Sequence, residues 1–372
     1  MNTMTQVKKK SKLFRLGKND RLSVGIDAHA RSFHVAGWSG KTDRVVGNWV
    51  QPAAPEELIR QLKPFKERIA QVVYEAGPTG FGLARRLRAE GFRARVIAPG
   101  HTPQTPADRR KSDGLDARKL AEYASKGLLK DVYVPAPSEE ADRQVFRFRE
   151  QMVRNRRRIR QQIKSFLLQH GVEQPEGLGH WSKRSVRDLG ALKLGESLLF
   201  CLSGYLAELA HADAQVRRAT AGLARLAGRD DYRRAAEVLQ SVPGIGLITA
   251  MAFILELPRP RRFSNSRAVG RILGLCPQVK SSGETRRDCG RENTGNSRAR
   301  TLLVEAAWRW VRRDPGAKAY YARMLHNTGN GKKAIVAVAR RLGILLWRLA
   351  LSGERYRPER AWGKPPSLQG AA

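Results

Sequence analysis

The first third of the chain consists of short β-type runs separated by polar turns. LSVGID (22–27) is a β-branched run that ends on an acid, and SFHVAGW (32–38) and RVVGNWV (44–50) alternate apolar and polar residues. This alternation predicts three strands in succession, joined as an antiparallel meander.

Strands and helices alternate after the meander. The pattern predicts a helix over about 55–68, a buried strand at QVVYEA (71–76), a helix over 77–91 and a strand at RVIAP (95–99). Strands separated by helices indicate parallel crossovers. Three antiparallel strands followed by helix, strand, helix and strand is the order of an RNase H-like sheet, so we predict an α/β domain of this class over residues 21–137.

A long helix is predicted from about residue 138 to residue 171. Its apolar residues recur three and four positions apart, with Asn155 filling one position; they are Val145, Phe148, Met152, Ile159, Ile163 and Phe166. Such a spacing suits a coiled coil between chains or a helix packed in a bundle within one chain, and both remain open. We predict a helical, coiled-coil region over residues 138–235.

A second compact unit, mainly α-helical, is predicted over residues 236–350. Its most apolar stretch, VLQSVPGIGLITAMAFILEL (238–257), predicts two helices around a Pro-Gly-Ile-Gly turn. The turn resembles that of helix-hairpin-helix modules, where glycines let backbone N–H groups approach a DNA phosphate, so Gly244 and Gly246 are candidate contacts. Pro-Gly turns between buried helices also occur for structural reasons alone.

The two ends of the chain are predicted to lie outside these domains. Residues 1–20 are rich in lysine and form a basic tail, and residues 351–372 are rich in proline and glycine. We expect the first to be mobile and the second to be disordered.

The charge of the chain points to a polyanionic partner. It has 70 Lys+Arg against 34 Asp+Glu, a net charge of +36, and its pI is about 11.1. Nucleic acid is the polyanion that such a charge favours, because neutralised phosphates release their counterions. No apolar run reaches the roughly 18–20 residues of a membrane span, and no signal peptide opens the chain. The three cysteines lack metal-binding spacing, and we expect a cytoplasmic protein without membrane contact.

Four acids stand where chemistry on phosphates could occur. Asp27 and Glu75 end the first and fourth predicted strands, and Asp113 and Asp116 lie three apart on a predicted helix. Crowded carboxylates repel each other unless a cation neutralises them, and hard oxygen ligands favour Mg²⁺ or Mn²⁺. The alternative is a set of separate surface acids, with Asp113 capping the helix and Asp116 paired to a neighbouring base.

Basic residues that could bind phosphate cluster in three places. They are Lys111 and Arg118 beside the acids; Arg154, Arg156, Arg157, Arg158 and Arg160 on the long helix; and Arg286, Arg287, Arg291, Arg298 and Arg300 in the second unit. The long-helix residues lack acidic neighbours in sequence, which favours a phosphate-tracking surface over a solvated face. The third cluster surrounds a Ser281-Ser282-Gly283 loop, where a serine could attack a phosphodiester, although such loops are more often simple turns.

Several of these segments resemble one known family. VGIDAHARSFHVAGW, VVYEAGPTGFGLARRL and KSDGLDARKLAEYA are similar to motifs of the DEDD transposases of the insertion sequence 110 family, which includes the Piv-type DNA invertases. SVPGIGLITAMAFILEL and the following segment to about residue 308 resemble the C-terminal transposase domain of that family. The resemblance covers about residues 21–345.

The resemblance implies a fold, a reaction and partners. It implies a RuvC-like domain that binds divalent metal through Asp27, Glu75, Asp113 and Asp116, and a serine that forms a covalent phosphoserine link to DNA. The family's serine precedes a glycine, as Ser282 does; Ser281 is the adjacent alternative and Ser297 a remote one. The implied partners are donor and target DNA, a structured noncoding bridge RNA as guide, and further copies of the chain, as a dimer and a tetrameric synapse with composite sites.

Three other functions are compatible with parts of the sequence. A DEDD exonuclease needs Asp-x-Glu in its first motif, and the chain has Asp27-Ala28-His29. A junction resolvase has no use for a second basic domain with a serine loop. A non-catalytic nucleic-acid-binding protein would explain the charge but not the four acids, which weaken binding unless metal occupies them.

Overall fold

The computed structural model describes residues 13–77, 79–98, 113–282, 285–291 and 295–362. The chain divides into two compact units, residues 1–136 and 137–372. Each unit is described by itself below.

A five-stranded mixed sheet forms the centre of the first unit. Its strands are β1 (Leu22–Ala28), β2 (Ser32–Ser39), β3 (Arg44–Pro52), β4 (Ile69–Glu75) and β5 (Ala94–Ile97). They lie in the order β3-β2-β1-β4-β5. The first three are antiparallel neighbours, and β1, β4 and β5 run parallel. The predicted mixed sheet is confirmed, and its order is consistent with an RNase H-like domain.

Helices cover both faces of this sheet. They are α1 (Pro55–Leu62), which continues into a 3₁₀ turn at Lys63–Arg68, α2 (Gly82–Ala89) and α3 (Asp113–Ser125). Because side chains alternate along a strand, Leu22, Val24 and Ile26 of β1 pack in the core that includes residues of α1 and α2. Gly25, between them, faces α3 on the opposite side.

The prediction that residues 1–20 form a mobile tail is wrong from residue 13 onwards. Phe14 is buried, with its ring edge-on to Trp49 and Phe65 at centroid distances of 5.4 and 5.0 Å. Gly37 leaves space for this ring, because a Cβ at that position would lie only 2.4 Å from it. One large apolar residue therefore holds a chain segment whose composition suggested a solvated arm; residues 1–12 lie outside the described part of the chain.

The second unit is mainly helical and contains a two-stranded hairpin. Its helices are α4 (Pro137–Gln169), α5 (Lys183–Gly190), α6 (Glu196–Ala227), α7 (Asp230–Gln240), α8 (Leu247–Glu256), α9 (Ser266–Ile272), α10 (Ser297–Arg313), α11 (Pro315–Thr328), α12 (Gly331–Ser352) and α13 (Pro358–Trp362). The hairpin consists of β6 (Pro277–Ser282) and β7 (Thr285–Arg291). Within the described ranges, no helix is both long and apolar enough to cross a membrane.

The long helix α4 packs against α6 of the same chain. Ile159, Ile163 and Phe166 are buried in one cluster with Leu202 and Leu209. For the C-terminal half of α4, the structure thus shows the in-chain bundle rather than the seam of a coiled coil. In the N-terminal half the buried residue is Phe146, whereas Phe148 is 46% exposed.

Two predicted limits in this unit differ from the structure. The boundary between residues 235 and 236 lies inside α7, whose buried residues include Ala236 and Leu239. The disordered tail predicted from residue 351 is wrong as far as residue 362, because Trp362 packs on Trp310 at a centroid distance of 5.1 Å. A few aromatic contacts outweigh the local excess of proline and glycine. Residues 363–372 lie outside the described part.

Candidate nucleic-acid-processing site

Two of the predicted acids lie side by side at one edge of the sheet. Ile26 pairs with Tyr74 in the parallel β1–β4 register, so the next residues, Asp27 and Glu75, end their strands together. Neighbouring strands are about 4.8 Å apart. Both acids are half-buried, and the carboxyl ends of strands are where sites form in α/β sheets.

Helix α3 packs closely against β1 at Gly25, a position that only glycine can occupy. A Cβ on Gly25 would lie 2.2 Å from the carbonyl oxygen of Ala117 and 2.5 Å from the amide nitrogen of Ala121. Near the other end of the helix, Gln71 Nε2 donates a hydrogen bond to the carbonyl oxygen of Ala124 at 2.7 Å. Gln71 pairs with Ser23, at the start of β1. The helix therefore runs antiparallel to β1, and its first turn lies towards the carboxyl ends of β1 and β4.

This direction brings the first turn of α3 to the same edge as Asp27 and Glu75. Residue 113 lies about 6 Å beyond Ala117 along the helix, at 1.5 Å per residue. Asp27 lies about 6.6 Å beyond Gly25 along the strand, at 3.3 Å per residue. We call Asp27, Glu75 and residues 113–116 the acidic edge.

The side chains of the acidic edge are described in part. Asp116 and Arg118 are exposed, whereas Lys111 and the side chain of Asp113 lie outside the described part. Among the side chains that are described, no three His, Cys, Asp or Glu groups stand together as a metal site. Sequence reasoning did not identify His29 as a neighbour of Asp27, although its Nε2 lies 3.1 Å from Asp27 Oδ2. The signal was present, because a residue two positions along a strand returns to the same face.

The basic residues of α4 divide into two groups. Arg156 and Arg160 lie 3.2 and 3.8 Å from Asp213 of α6, and the guanidinium of Arg160 also lies 5.2 Å from the Trp181 ring centre. These two arginines have no acidic neighbour in sequence, but the fold supplies one from another helix. Their structural role is to join α4 to α6.

The remaining three arginines of the predicted cluster are exposed. Arg154, Arg157 and Arg158 line one groove of about 570 Å³ together with Tyr205 and polar residues of α4. We call it the basic groove.

Of the predicted serine loop, Ser281 and Ser282 lie on strand β6, and Gly283 lies outside the described part. Ser282 pairs with Thr285, and Ser281 pairs with Arg286; residues 283 and 284 lie outside the described part of the chain. Arg287 and Arg291 lie on β7. The side chains of this hairpin lie outside the described part.

The base of the hairpin is fixed on both sides. The backbone nitrogen of Asn296 donates to the carbonyl oxygen of Ile272 at 2.7 Å. Gly295 has a φ of +87°, and a Cβ there would lie 2.6 Å from the amide nitrogen of Gly274. Both a left-handed backbone and a close approach thus require glycine at this position.

A buried acid secures the same base. Glu256 accepts two hydrogen bonds from Arg147, at 2.9 and 3.0 Å, and one from Asn296 Nδ2 at 2.7 Å. Burial alone would raise the pKa of Glu256, but the bonds from Arg147 and Asn296 outweigh it and lower the pKa. Sequence reasoning did not identify Glu256, which ends an apolar run without a motif.

Two arginines predicted to bind phosphate contact groups within the second unit. Arg298 lies 3.6 Å from Glu150. Arg300 is 7% exposed, with Nη1 3.5 Å from the carbonyl oxygen of Gly274. Arg300 lies on the buried side of α10, whereas the side chain of Arg298 remains 37% exposed beside Glu150.

The two turn glycines differ in their surroundings. Gly244 has a φ of +88°, and a Cβ there would lie 3.0 Å from Arg309 Cβ, so this glycine allows close packing on α10. Gly246 has no neighbour within 4 Å of a Cβ position and is the N-cap of α8, without a side-chain cap. It lines a groove of about 820 Å³ with Arg309 and Arg312.

A mixed sheet with carboxylates at one edge, in a chain that also has a basic helical unit, is typical of proteins that act on nucleic acid. Comparison with known proteins identifies the family. A model for the DEDD transposases of IS110 elements matches residues 24–172, and the model of the transposase IS116/IS110/IS902 family matches residues 236–322.

Relatives extend the similarity over most of the chain. The y4qE protein of Sinorhizobium fredii, whose name describes a transposase, is 32% identical over 88% of this chain and 88% of its own. The transposase for insertion sequence element IS1111A of Coxiella burnetii is 25% identical over 92% and 93% of the two chains. The chain belongs to the IS116/IS110/IS902 transposase family, whose members cut and rejoin DNA.

Proposed function

We propose that residues 21–137 are the RuvC-like catalytic domain of this transposase and that Asp27, Glu75, Asp113 and Asp116 hold Mg²⁺ or Mn²⁺. The observation that carries the proposal is the acidic edge, where Gly25 docks α3 so that its first turn joins Asp27 and Glu75. Oxygen donors of this kind fit a hard divalent cation. When bound, such ions stabilise the attacking and leaving oxygens of phosphoryl transfer.

The test replaces the acids without changing their shape. Asp27→Asn and Glu75→Gln are expected to abolish DNA cleavage and strand transfer while leaving DNA affinity unchanged, because binding depends on arginines elsewhere. Glu67→Gln is the matched control, since Glu67 is exposed and precedes the opposite end of β4. Loss of affinity in parallel with loss of cleavage would indicate a structural role for the acids.

Ser282 is the proposed nucleophile. Its oxygen attacks the phosphorus of a phosphodiester, a Ser–O–P bond forms, the bond to the 3′ oxygen breaks, and the serine proton is transferred so that a 3′-hydroxyl leaves. The number of phosphoester bonds is unchanged, so rejoining needs no ATP. Support comes from the position of Ser282 at the end of β6, on a strand paired with β7, which contains Arg286, Arg287 and Arg291.

A denaturation-resistant protein–DNA adduct tests this step. Wild type is expected to form the adduct, and Ser282→Ala is expected to bind DNA without forming it. An adduct that persists in Ser282→Ala and disappears in Ser281→Ala would move the nucleophile by one residue. Metal-dependent nicking by the wild type without any adduct would favour the alternative function of a hydrolytic resolvase.

The proposed nucleic-acid partners are donor and target DNA and a structured guide RNA. The basic groove supports this, because its three arginines are exposed on one helix, and Gly246 beside Arg309 and Arg312 offers a second phosphate site. Replacing Arg154, Arg157 and Arg158 with Gln is expected to reduce the salt slope of binding by about 0.7–0.9 per lost contact. RNA sequenced from the purified complex tests the guide; no enriched structured RNA would contradict it.

We also propose that the chain functions as a dimer that pairs into a tetramer on DNA. Phe148, Met152 and Asn155 line a groove on α4, and 46% of Phe148 is exposed. Phe148→Glu is expected to reduce the hydrodynamic mass of the protein, and an unchanged mass would exclude this surface as the dimer contact.

A further inference from the structure

A pocket lined by arginines lies between α12 and the segment formed by residues 353–362. Its volume of about 460 Å³ is in the range of ligand-binding sites, roughly 300–1,000 Å³. Its arginines are Arg340, Arg341, Arg348, Arg355, Arg357 and Arg360. Glu354, the acid in its lining, forms an ion pair with Arg360. We call this the C-terminal pocket.

The segment that closes the pocket is fixed by partly buried contacts. Tyr356 Oη donates to Oδ2 of Asp314 at 2.6 Å, and Asp314 is 3% exposed. The backbone nitrogen of Tyr356 donates to Ser241 Oγ at 2.8 Å, and Trp362 Nε1 donates to Tyr356 Oη at 3.0 Å. Burial, together with the bond to Asp314, raises the pKa of Tyr356, so its hydroxyl remains a donor at neutral pH. Residues 353–362, which form one wall of the pocket, are therefore held in place by specific contacts with the rest of the unit.

The charge of the pocket is largely uncompensated. Arg348, Arg355 and Arg357 are exposed, and in the part of the chain that the structure describes no acid forms an ion pair with them. Clustered like charges repel each other, so their placement in one concavity favours an anionic ligand. Guanidinium groups match phosphate oxygens with paired hydrogen bonds.

We propose that the C-terminal pocket binds the phosphodiester backbone of a nucleic-acid strand, with Arg348, Arg355 and Arg357 contacting phosphates. A strand fits better than a single small anion, because the arginines come from two separate elements and offer more donors than one phosphate accepts. It also fits better than a lipid surface, because the site is a concavity. The six arginines of the pocket lie beyond residues 236–322, which the family model matches. The proposal does not depend on the assignment of the catalytic acids or serine.

The test compares two variants with the same loss of charge. The pocket variant carries Arg348→Gln, Arg355→Gln and Arg357→Gln. The control carries Arg217→Gln, Arg218→Gln and Arg225→Gln, three exposed arginines of α6 away from the pocket. Binding of short fluorescent RNA and DNA strands to the full-length protein is measured at several salt concentrations, with thermal unfolding as a check of the fold.

The pocket variant is expected to bind about fourfold to sixfold more weakly per lost contact near 0.15 M salt, with a salt slope smaller by about 0.7–0.9 per contact. The control is expected to keep the wild-type slope. An effect on RNA alone, on DNA alone or on both supports the proposal and identifies the strand. Equal losses in the two variants, or no loss in the pocket variant, would overturn it.

A second measurement locates the contact directly. Photoreactive strands crosslinked to the wild-type protein are expected to label peptides that contain residues 348–362, and the label is expected to be lost in the pocket variant. Crosslinks confined to other segments would overturn the proposal even if affinity changed. Because Asp27→Asn leaves this pocket intact, it is expected to crosslink like wild type, which separates this proposal from the catalytic one.

Discussion

Replacing Gly25 with alanine should disturb the acidic edge without touching any of its acids. The new Cβ would lie 2.2 Å from the carbonyl oxygen of Ala117, whereas carbon and oxygen atoms normally approach to about 3.3 Å. Helix α3 or strand β1 must therefore move by about 1 Å. Overpacking of this kind costs about 1–3 kcal/mol, which corresponds to a fall in melting temperature of roughly 3–9 °C for a unit of this size.

The effect on activity should exceed the effect on stability. A displacement of about 1 Å at a site of positioned groups can reduce the rate about 100-fold, so Gly25→Ala is expected to lose DNA cleavage at temperatures where it remains folded. Cleavage by folded protein, monitored alongside thermal unfolding, measures both. Gly82→Ala is the control, because no atom lies within 4 Å of a Cβ at Gly82, and it should retain wild-type activity. Full activity in a stable Gly25→Ala protein would show that α3 does not position the acidic edge.

Two further substitutions test the structural corrections. Phe14→Ala is expected to destabilise the first unit by about 3–5 kcal/mol, measured by denaturant unfolding. A change below about 1 kcal/mol would indicate that residues 13–20 form a tail after all. Glu256→Gln removes the charge with which Arg147 pairs. It is expected to lower the free energy of unfolding by about 3 kcal/mol near neutral pH, a value at the low end for a buried pair because Arg147 is one-third exposed. The pKa of Glu256 is lowered in the folded state. Its ionised form therefore contributes to stability above the unfolded-state pKa of about 4.3, and this contribution is lost as the pH falls through the folded-state pKa. The stability difference between wild type and Glu256→Gln should therefore shrink on acidification, and a constant difference would contradict the assignment.

The sequence predicted the sheet well because its signal is local. Period-two alternation in 32–38 and 44–50 and the apolar runs at 22–27 and 71–76 each carry their own burial pattern, and short connections limit how they can pair. The position of Asp27 and Glu75 at one edge followed from this order alone. The docking of α3 could not be predicted, because nothing near Gly25 in the sequence indicates which helix approaches it.

The two ends of the chain were misjudged for a related reason. Composition describes an average over a segment, whereas Phe14 and Trp362 each fix the backbone around them through contacts with residues distant in sequence. A single aromatic ring buries 150–250 Å², which is enough to order a short segment that is otherwise basic or rich in proline. The contacts of Tyr356 and Trp362 likewise fix the segment that closes the C-terminal pocket.

The arginines show most clearly why charge alone does not define a binding surface. Arg156 and Arg158 are two residues apart on α4, yet Arg156 pairs with Asp213 and Arg158 faces the basic groove. Successive residues on a helix point about 100° apart, so one basic run supplies both an internal ion pair and an exposed contact. Arg300 is further removed from solvent than either. The net charge of +36 therefore sets the affinity for polyanions in general, and the partner acids contributed by other helices decide which arginines remain to contact a phosphate.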